Sequence, residues 1–447
     1  MAANWPAVPL GDLTKGGLRH GIYKPPQSFG SGTRVLKMGT FLRENRLGAQ
    51  EMPRARLTSE EIARYGVLVG DLLFARTSTM PNGLGKCAIV VTHKEPFVFD
   101  GNILCATLDT DRADPRFVYY FFTSEAGQQS IQEITGGTQS RSVPATTFSK
   151  VEVPCPPLAV QNAIARVLGS FDDKIELNRR MNQTLEEICR ALFKFWFVDF
   201  GPVRAKMEGR WKKGESLPGM PADMWDLWPS EFEESEIGEI PKGWTVRPLA
   251  EVATFTRGVS YRGEDLADSE TALVSLKCAG RGGVYREDGL KPYRGKYKES
   301  QIVESGDVVV SHTDVTQRAE VIGRAYRVRT SLRFSRLVAS LDMAIVRPNG
   351  VGLSREYLAF SLSEERFRDH AYGYTNGTTV LHLSSQALPD YPLLIPPSDV
   401  VRDFSRTVSL QNGLLDEHGI ESELLGHLRD TLLPKLLSGE IRVKVDS

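Results

Sequence analysis

The chain has 447 residues, 41% of them hydrophobic and 25% charged, with a formal net charge of −1. That length exceeds what one core serves and predicts two to four domains, and the composition excludes disordered and collagen-like chains. No run reaches the ~18 apolar residues of a membrane helix and the start, MAANWPAVPL, carries no signal pattern, so a cytoplasmic protein without a membrane partner is expected.

Taken in order, the first 155 residues read as a mixed domain. Short apolar runs such as GVLVGDLLFA near Gly66 and KCAIVV near Lys86 are bounded by Gly, Asp and Pro and predict strands. MPNGLGKC near Gly83 lacks the first glycine and the hydroxyl residue of a phosphate loop and reads as a hairpin turn. One amphipathic helix is predicted around FVYYFFTSEAGQQSIQEI.

After Pro156-Pro157 the pattern changes to a single long helix. Ile164, Leu168, Phe171, Ile175, Leu185, Cys189, Leu192 and Trp196 fall on alternating steps of three and four, which is a heptad seam. Two seam positions are polar, Asn178 and Asn182. The end of this helix, ALFKFWFVDF, holds more large aromatics than one seam can bury, so Phe193, Phe195, Trp196 and Phe197 are expected to meet another subunit. Residues 201–240, rich in Gly, Pro and acid, read as a connector that Trp211, Trp225 and Trp228 tack onto a surface.

The rest repeats the beginning. FVYYFFTS from Phe117 recurs as YLAFSLSE from Tyr357, Gly137-Thr138 as Gly377-Thr378 and Pro156-Pro157 as Pro396-Pro397, all at an offset of 240 without a gap. GDLLFART from Gly70 corresponds to GDVVVSHT from Gly306, and the second seam runs through Phe404, Val408, Leu415, Leu425, Leu432 and Leu436. Its central polar positions are His418 and Ser422. The fold class expected is therefore α+β, with two tandem mixed domains separated by two long antiparallel helices in pseudo-two-fold symmetry. Domain bounds follow: 1–155, first mixed domain; 156–200, first long helix; 201–240, connector; 241–395, second mixed domain; 396–447, second long helix and tail. An antiparallel pair centred near 180 and 420 sets Asn178 across from Ser422 and Asn182 across from His418, a polar layer that fixes register.

Charge is distributed unevenly. Residues 14–90 hold 12 Lys/Arg against 5 Asp/Glu and residues 281–336 hold 12 against 7, while 201–240 holds 5 against 9. Two local basic faces, each able to hold a phosphate backbone, are thus hidden in a near-neutral total. Catalytic chemistry finds no support: there is no phosphate loop, HExxH or GxSxG motif, no metal-ligand spacing among the seven histidines, and no CxxC among the five cysteines.

Two mixed domains each followed by a long helix, with FKFWFVDFGPVRAKMEGRW at 193–211, SEIGEIPKGW at 235–244 and LLPKLLSGEI at 432–441, resemble the specificity (S) subunit of Type I restriction-modification systems. The resemblance covers essentially the whole chain. It implies two target recognition domains, each reading one half of a split double-stranded DNA site, and helices that bind two methyltransferase (M) subunits, with two restriction (R) subunits joining them. It implies no catalytic site and no cofactor in this chain, with S-adenosylmethionine, ATP and Mg held by the partner subunits.

Base reading needs Arg, Lys, Asn or Gln in a groove, and phosphate contacts need Lys, Arg, Ser, Thr or backbone N–H groups. Repeat correspondence places such contacts at Lys37 and Lys277, Arg76 and His312, Lys86 and Arg324, at Thr138, Gln139 and Arg141, and at Thr378, Thr379 and His382. A coiled-coil scaffold that never touches DNA, and a DNA nuclease or methyltransferase with an unrecognised site, are the alternatives.

Overall fold

The computed structural model describes residues 5–77, 83–135, 142–314, 319–350, 352–377 and 380–444. The chain forms two compact units: Met1–Glu176 with Leu424–Ser447, and Leu177–Glu423. Both boundaries fall inside the long helices, Leu158–Phe193 and Ser398–Leu437, so each unit contains residues of both.

The first unit is built on a five-stranded sheet in the order Thr14–His20, Ile103–Leu108, Leu72–Ala75, Cys87–Val90, Arg46–Leu47. Every residue of Leu72–Ala75 and Cys87–Val90 is buried, which is why these strands read as unbroken apolar runs rather than alternating ones. A three-stranded sheet, Arg54–Ala55, Phe29–Leu36, Phe97–Phe99, pairs its last two strands in parallel.

The second unit repeats this plan. Its four-stranded sheet runs Ala253–Arg257, Met343–Pro348, Val308–Ser311, Ala325–Arg327, and a second sheet pairs Thr271–Val274 with Arg336–Ala339 in parallel. Register is kept as well as order: Leu104 pairs with Phe74 and Ala344 with Val310, the shared strand being displaced by 240 residues. The Gly-Asp motif has a structural cause in both copies. Gly70 (φ 92°) and Gly306 (φ 90°) turn the chain through the left-handed region, and the buried Asp71 and Asp307 carboxylates accept from the amides of Leu68 (2.9 Å) and Glu304 (3.0 Å).

The amphipathic helix predicted in each copy is in fact two. Pro115–Thr123 and Glu125–Thr135 meet at Ser124, whose backbone is extended (φ −75°, ψ 160°) and whose hydroxyl caps the second helix by accepting from the Gly127 amide at 3.2 Å. Gly127 is required there, because a Cβ would lie 2.1 Å from the Phe121 carbonyl oxygen. Arg355–Ser361 and Glu365–Gly373 repeat the break.

The long helices bury part of the predicted seam and leave Phe171, Ile175, Leu185, Leu192, Leu425 and Leu432 half-buried. Within the second unit Cys189, Trp196, Phe404, Val408 and Leu415 are buried, and Asn178 and Asn182 contact Ser422 and His418 respectively, so these segments run antiparallel. Within the first unit Ile164 and Leu168 share a core with Leu433, Leu436 and Leu437. The connector is ordered: it holds a helix, Gly201–Met207, and a hairpin, Phe232–Ser235 with Gly238–Pro241. Trp211 and Trp228 are buried in the core of the second unit, whereas Trp225 packs at its edge.

Candidate nucleic-acid interface

In each unit the antiparallel pairing gathers corresponding strand ends at one edge of the sheet. In the first unit the ends of Thr14–His20 and Leu72–Ala75 stand beside the beginnings of Ile103–Leu108 and Cys87–Val90. The Arg76 amide donates to Asn102 O (3.1 Å), the Ala75 amide to Lys86 O (3.0 Å) and the Asp100 amide to Leu36 O (3.0 Å), so Arg76, Lys86 and Lys37 come to one edge. His20, Asn102 and Tyr23, the last 82% exposed, join them there.

These cations are anchored. The Lys37 ammonium pairs with Asp100 at 3.0 Å and lies 4.3 Å from the Phe29 ring centre. The half-buried Lys86 ammonium donates to Leu42 O at 2.6 Å, and burial lowers its pKa. The Arg76 guanidinium meets His20 Nδ1 at 3.1 Å and Ser142 Oγ at 3.1 Å; burial, then the Arg76 charge, lower the pKa of His20. Part of the basic excess of residues 14–90 is also engaged in ion pairs, Arg19 with Asp71, Lys24 with Glu61, Arg46 with Asp173 and Arg54 with Glu95. Thr138, Gln139 and Arg141 lie outside the described residues.

The second unit builds the same edge. The His312 amide donates to Asp342 O (2.7 Å), and the His312 carbonyl accepts from Leu383, which brings the exposed His382 alongside Thr313. Arg324 immediately precedes the neighbouring strand, Ala325–Arg327; its Nε donates to Glu320 O at 3.1 Å and Nη1 to Glu365 Oε1 at 3.4 Å. Lys277 is exposed just past Thr271–Val274. His312, expected at the surface by repeat position, is instead 7% exposed, with its pKa depressed to about 4 by burial and by the Arg257 charge. Thr378 and Thr379 lie outside the described residues.

His20 and Arg257 belong to these edges and were missed from the sequence, because the strands that end in them, Thr14–His20 and Ala253–Arg257, share no motif. The signal that aligns them is the glycine that follows each. A Cβ on Gly21 would lie 2.2 Å from Asp100 O, and one on Gly258 2.1 Å from Ser340 O, so both turns press against the neighbouring backbone at the same point.

The aromatic end of the first long helix is a correction to the sequence expectation. Phe193, Trp196 and Phe197 are not left for a partner: they are buried in the second unit against Tyr357, Phe404, Trp228 and Trp244, with ring centres 5.0 to 6.0 Å apart. Trp228 from the connector and Trp244 just after it supply the extra cover that a bare seam lacks. Phe195 alone is half-buried, its ring filling the space beside Gly201. At the centre of the helix pair, Asn178 Nδ2 donates to Glu421 Oε2 (2.8 Å) and Ser422 Oγ (3.3 Å).

Among the described residues no group of three His, Cys, Asp or Glu side chains could hold a metal ion, and all five cysteines are free thiols. Residues 58–187 match the family model described as the Type I restriction modification DNA specificity domain. The Type I restriction enzyme MjaIX specificity subunit of Methanocaldococcus jannaschii is 25% identical over 339 residues, covering 73% of this chain and 69% of the relative. The HindI specificity subunit of Haemophilus influenzae is 23% identical over 424 residues, covering 85% and 88%. The crystal structure of the S subunit of a Type I restriction-modification system from M. genitalium shares the fold, with a TM-score of 0.54 and 14% identity over 97% of this chain and 96% of that one.

Proposed function

We propose, on the premise that the chain belongs to the family of Type I restriction-modification specificity subunits, that it recognises a bipartite site on double-stranded DNA and scaffolds methyltransferase and restriction subunits, two of each. The chain is a non-catalytic component of such a complex. The observation that carries the reading is the duplicated sheet edge, which gathers Lys37, Arg76 and Lys86 in one unit and Arg257 and Arg324 in the other, with Lys277 exposed just past the neighbouring strand. A duplex offers phosphates to such cations and base-edge acceptors to such donors, and two separate edges suit two separate blocks of sequence.

In this reading residues 1–155 and 241–395 are the two target recognition domains. Residues 156–200 and 396–447 are the helices that hold them and the methyltransferase subunits, and 201–240 connects the copies. S-adenosylmethionine, ATP and Mg belong to the partner subunits. The complex works in the cytoplasm, where the genome is.

Co-expression with the methyltransferase subunits, followed by mapping of methylated bases across the host genome, tests the proposal. A motif of two short blocks separated by an unread gap is the expected result. A continuous motif, or an assembled complex that leaves the genome unmodified, would overturn it.

A further inference from the structure

Two backbone frames in the same register carry exchanged side chains. On the shared strand Leu104 pairs with His20 in the first unit and Ala344 pairs with Arg257 in the second, 240 positions on. One strand further, the amides of Arg76 and His312 donate to the carbonyls of Asn102 and Asp342, again 240 apart. Arg76 and His312 therefore occupy one structural position, and His20 and Arg257 another. One unit has histidine at the end of its first strand and arginine at the end of its third; the other has the reverse.

The first edge also leaves a buried polar atom without a partner among the described residues. Arg76 is held at Nη1 by His20 and at Nη2 by Ser142, while its Nε is buried and unpaired. Unpaired polar atoms in a folded interior are rare, and a ligand that supplies the missing partner is one cause of them. The planar fork of a guanidinium matches the paired acceptors O6 and N7 that a guanine shows in the major groove.

Resting on the DNA-recognition reading, we propose that Arg76 and Arg257 are the base-reading residues of the two units, each taking the acceptor pair of a guanine, with His20 as the residue that positions Arg76. The arginine stands at the end of Leu72–Ala75 in one unit and of Ala253–Arg257 in the other. Each unit thus reads its guanine at a different place along its block, and one scaffold serves two unlike half-sites.

The test uses the full chain in complex with its methyltransferase subunits, bound to a pool of duplexes randomised across the site. Arg76→Ala should lower the preference for one G·C pair in one block roughly 5- to 150-fold, leaving the other block and the unfolding midpoint unchanged; Arg257→Ala should do the same in the second block. Arg76→Lys should not restore the preference, because an ammonium cannot fork across two acceptors. His20→Ala should weaken the preference that Arg76→Ala removes, with recovery in His20→Gln. The double exchange His20→Arg with Arg76→His should move the preferred guanine within its block. Equal weakening on every sequence, rescued by lysine, would mean phosphate contacts and overturn the inference, as would unaltered preferences. A wild-type complex with no sequence preference at all would instead overturn the DNA-recognition reading itself.

Discussion

His418 Nδ1 lies 2.8 Å from Asn182 Oδ1, and the Asn182 amide nitrogen donates to the Leu415 carbonyl at 3.2 Å. With its nitrogen so engaged, Asn182 presents an oxygen to the His418 ring, which can donate to it from Nδ1. The contact is a polar layer inside an otherwise apolar seam, where a shift along the helices would set amides against side chains such as Leu415.

Replacing His418 alone by Leu should leave the Asn182 oxygen without its donor and lower the unfolding free energy by about 1–3 kcal/mol. Replacing Asn182 and His418 together by Leu should recover most of that loss. Denaturant titration of the four species as a double-mutant cycle measures the coupling, and strictly additive losses would refute the pairing.

In the first unit the buried Asp172 carboxylate accepts from Tyr120 Oη at 2.7 Å and from Arg429 Nη1 at 2.6 Å. Burial and the nearby carboxylate raise the pKa of the Tyr120 hydroxyl, which keeps it a donor. Arg429→Met should strand this carboxylate at a cost of about 3 kcal/mol. Asp172→Asn, which removes the charge but keeps an acceptor, should cost less. Thermal unfolding of both variants ranks them; a milder effect for Arg429→Met would show that the ion pair is not what holds this site.

His312 makes the second unit acid-sensitive. Its folded-state pKa of about 4 lies below the unfolded value of 6.5, so the unfolded chain binds the proton first. The contribution is fully present above pH 6.5 and is lost as the pH falls toward 4, by up to about 3 kcal/mol. Unfolding free energies at pH 7.5 and 4.5 should differ less in His312→Gln than in the wild type; an identical pH dependence would exclude His312 as the cause.

Phe197 packs against Tyr357, Phe404, Trp244 and Trp228 with ring centres 5.0 to 6.4 Å away. Phe197→Ala should therefore lower stability by about 3–5 kcal/mol, and the half-buried Phe195 should lose much less on the same change. Equal losses in chemical denaturation would mean that the aromatic cluster is looser than its geometry indicates.

The duplication, the mixed α+β character and the heptad seams were legible in the linear chain. Repeats, strand-length apolar runs and steps of three and four are all properties of sequence spacing. The basic edges were legible to the extent that Lys37, Arg76, Lys86 and Arg324 follow or precede strands whose ends the repeat identifies. What the spacing could not show was which groups are covered. Phe193, Trp196 and Phe197 looked surplus to one seam, and Trp228 from the segment that reads as a linker, together with Trp244, Tyr357 and Phe404, buries them. An apparently continuous helix breaks at Ser124 because its hydroxyl and the tight approach at Gly127 favour a new cap. The exchanged pair, His20 with Arg76 and Arg257 with His312, depends on strands distant in the chain meeting in one register. Periodicity is local and survives in sequence; burial and cross-strand pairing are made by residues far apart, and only the folded chain brings them together.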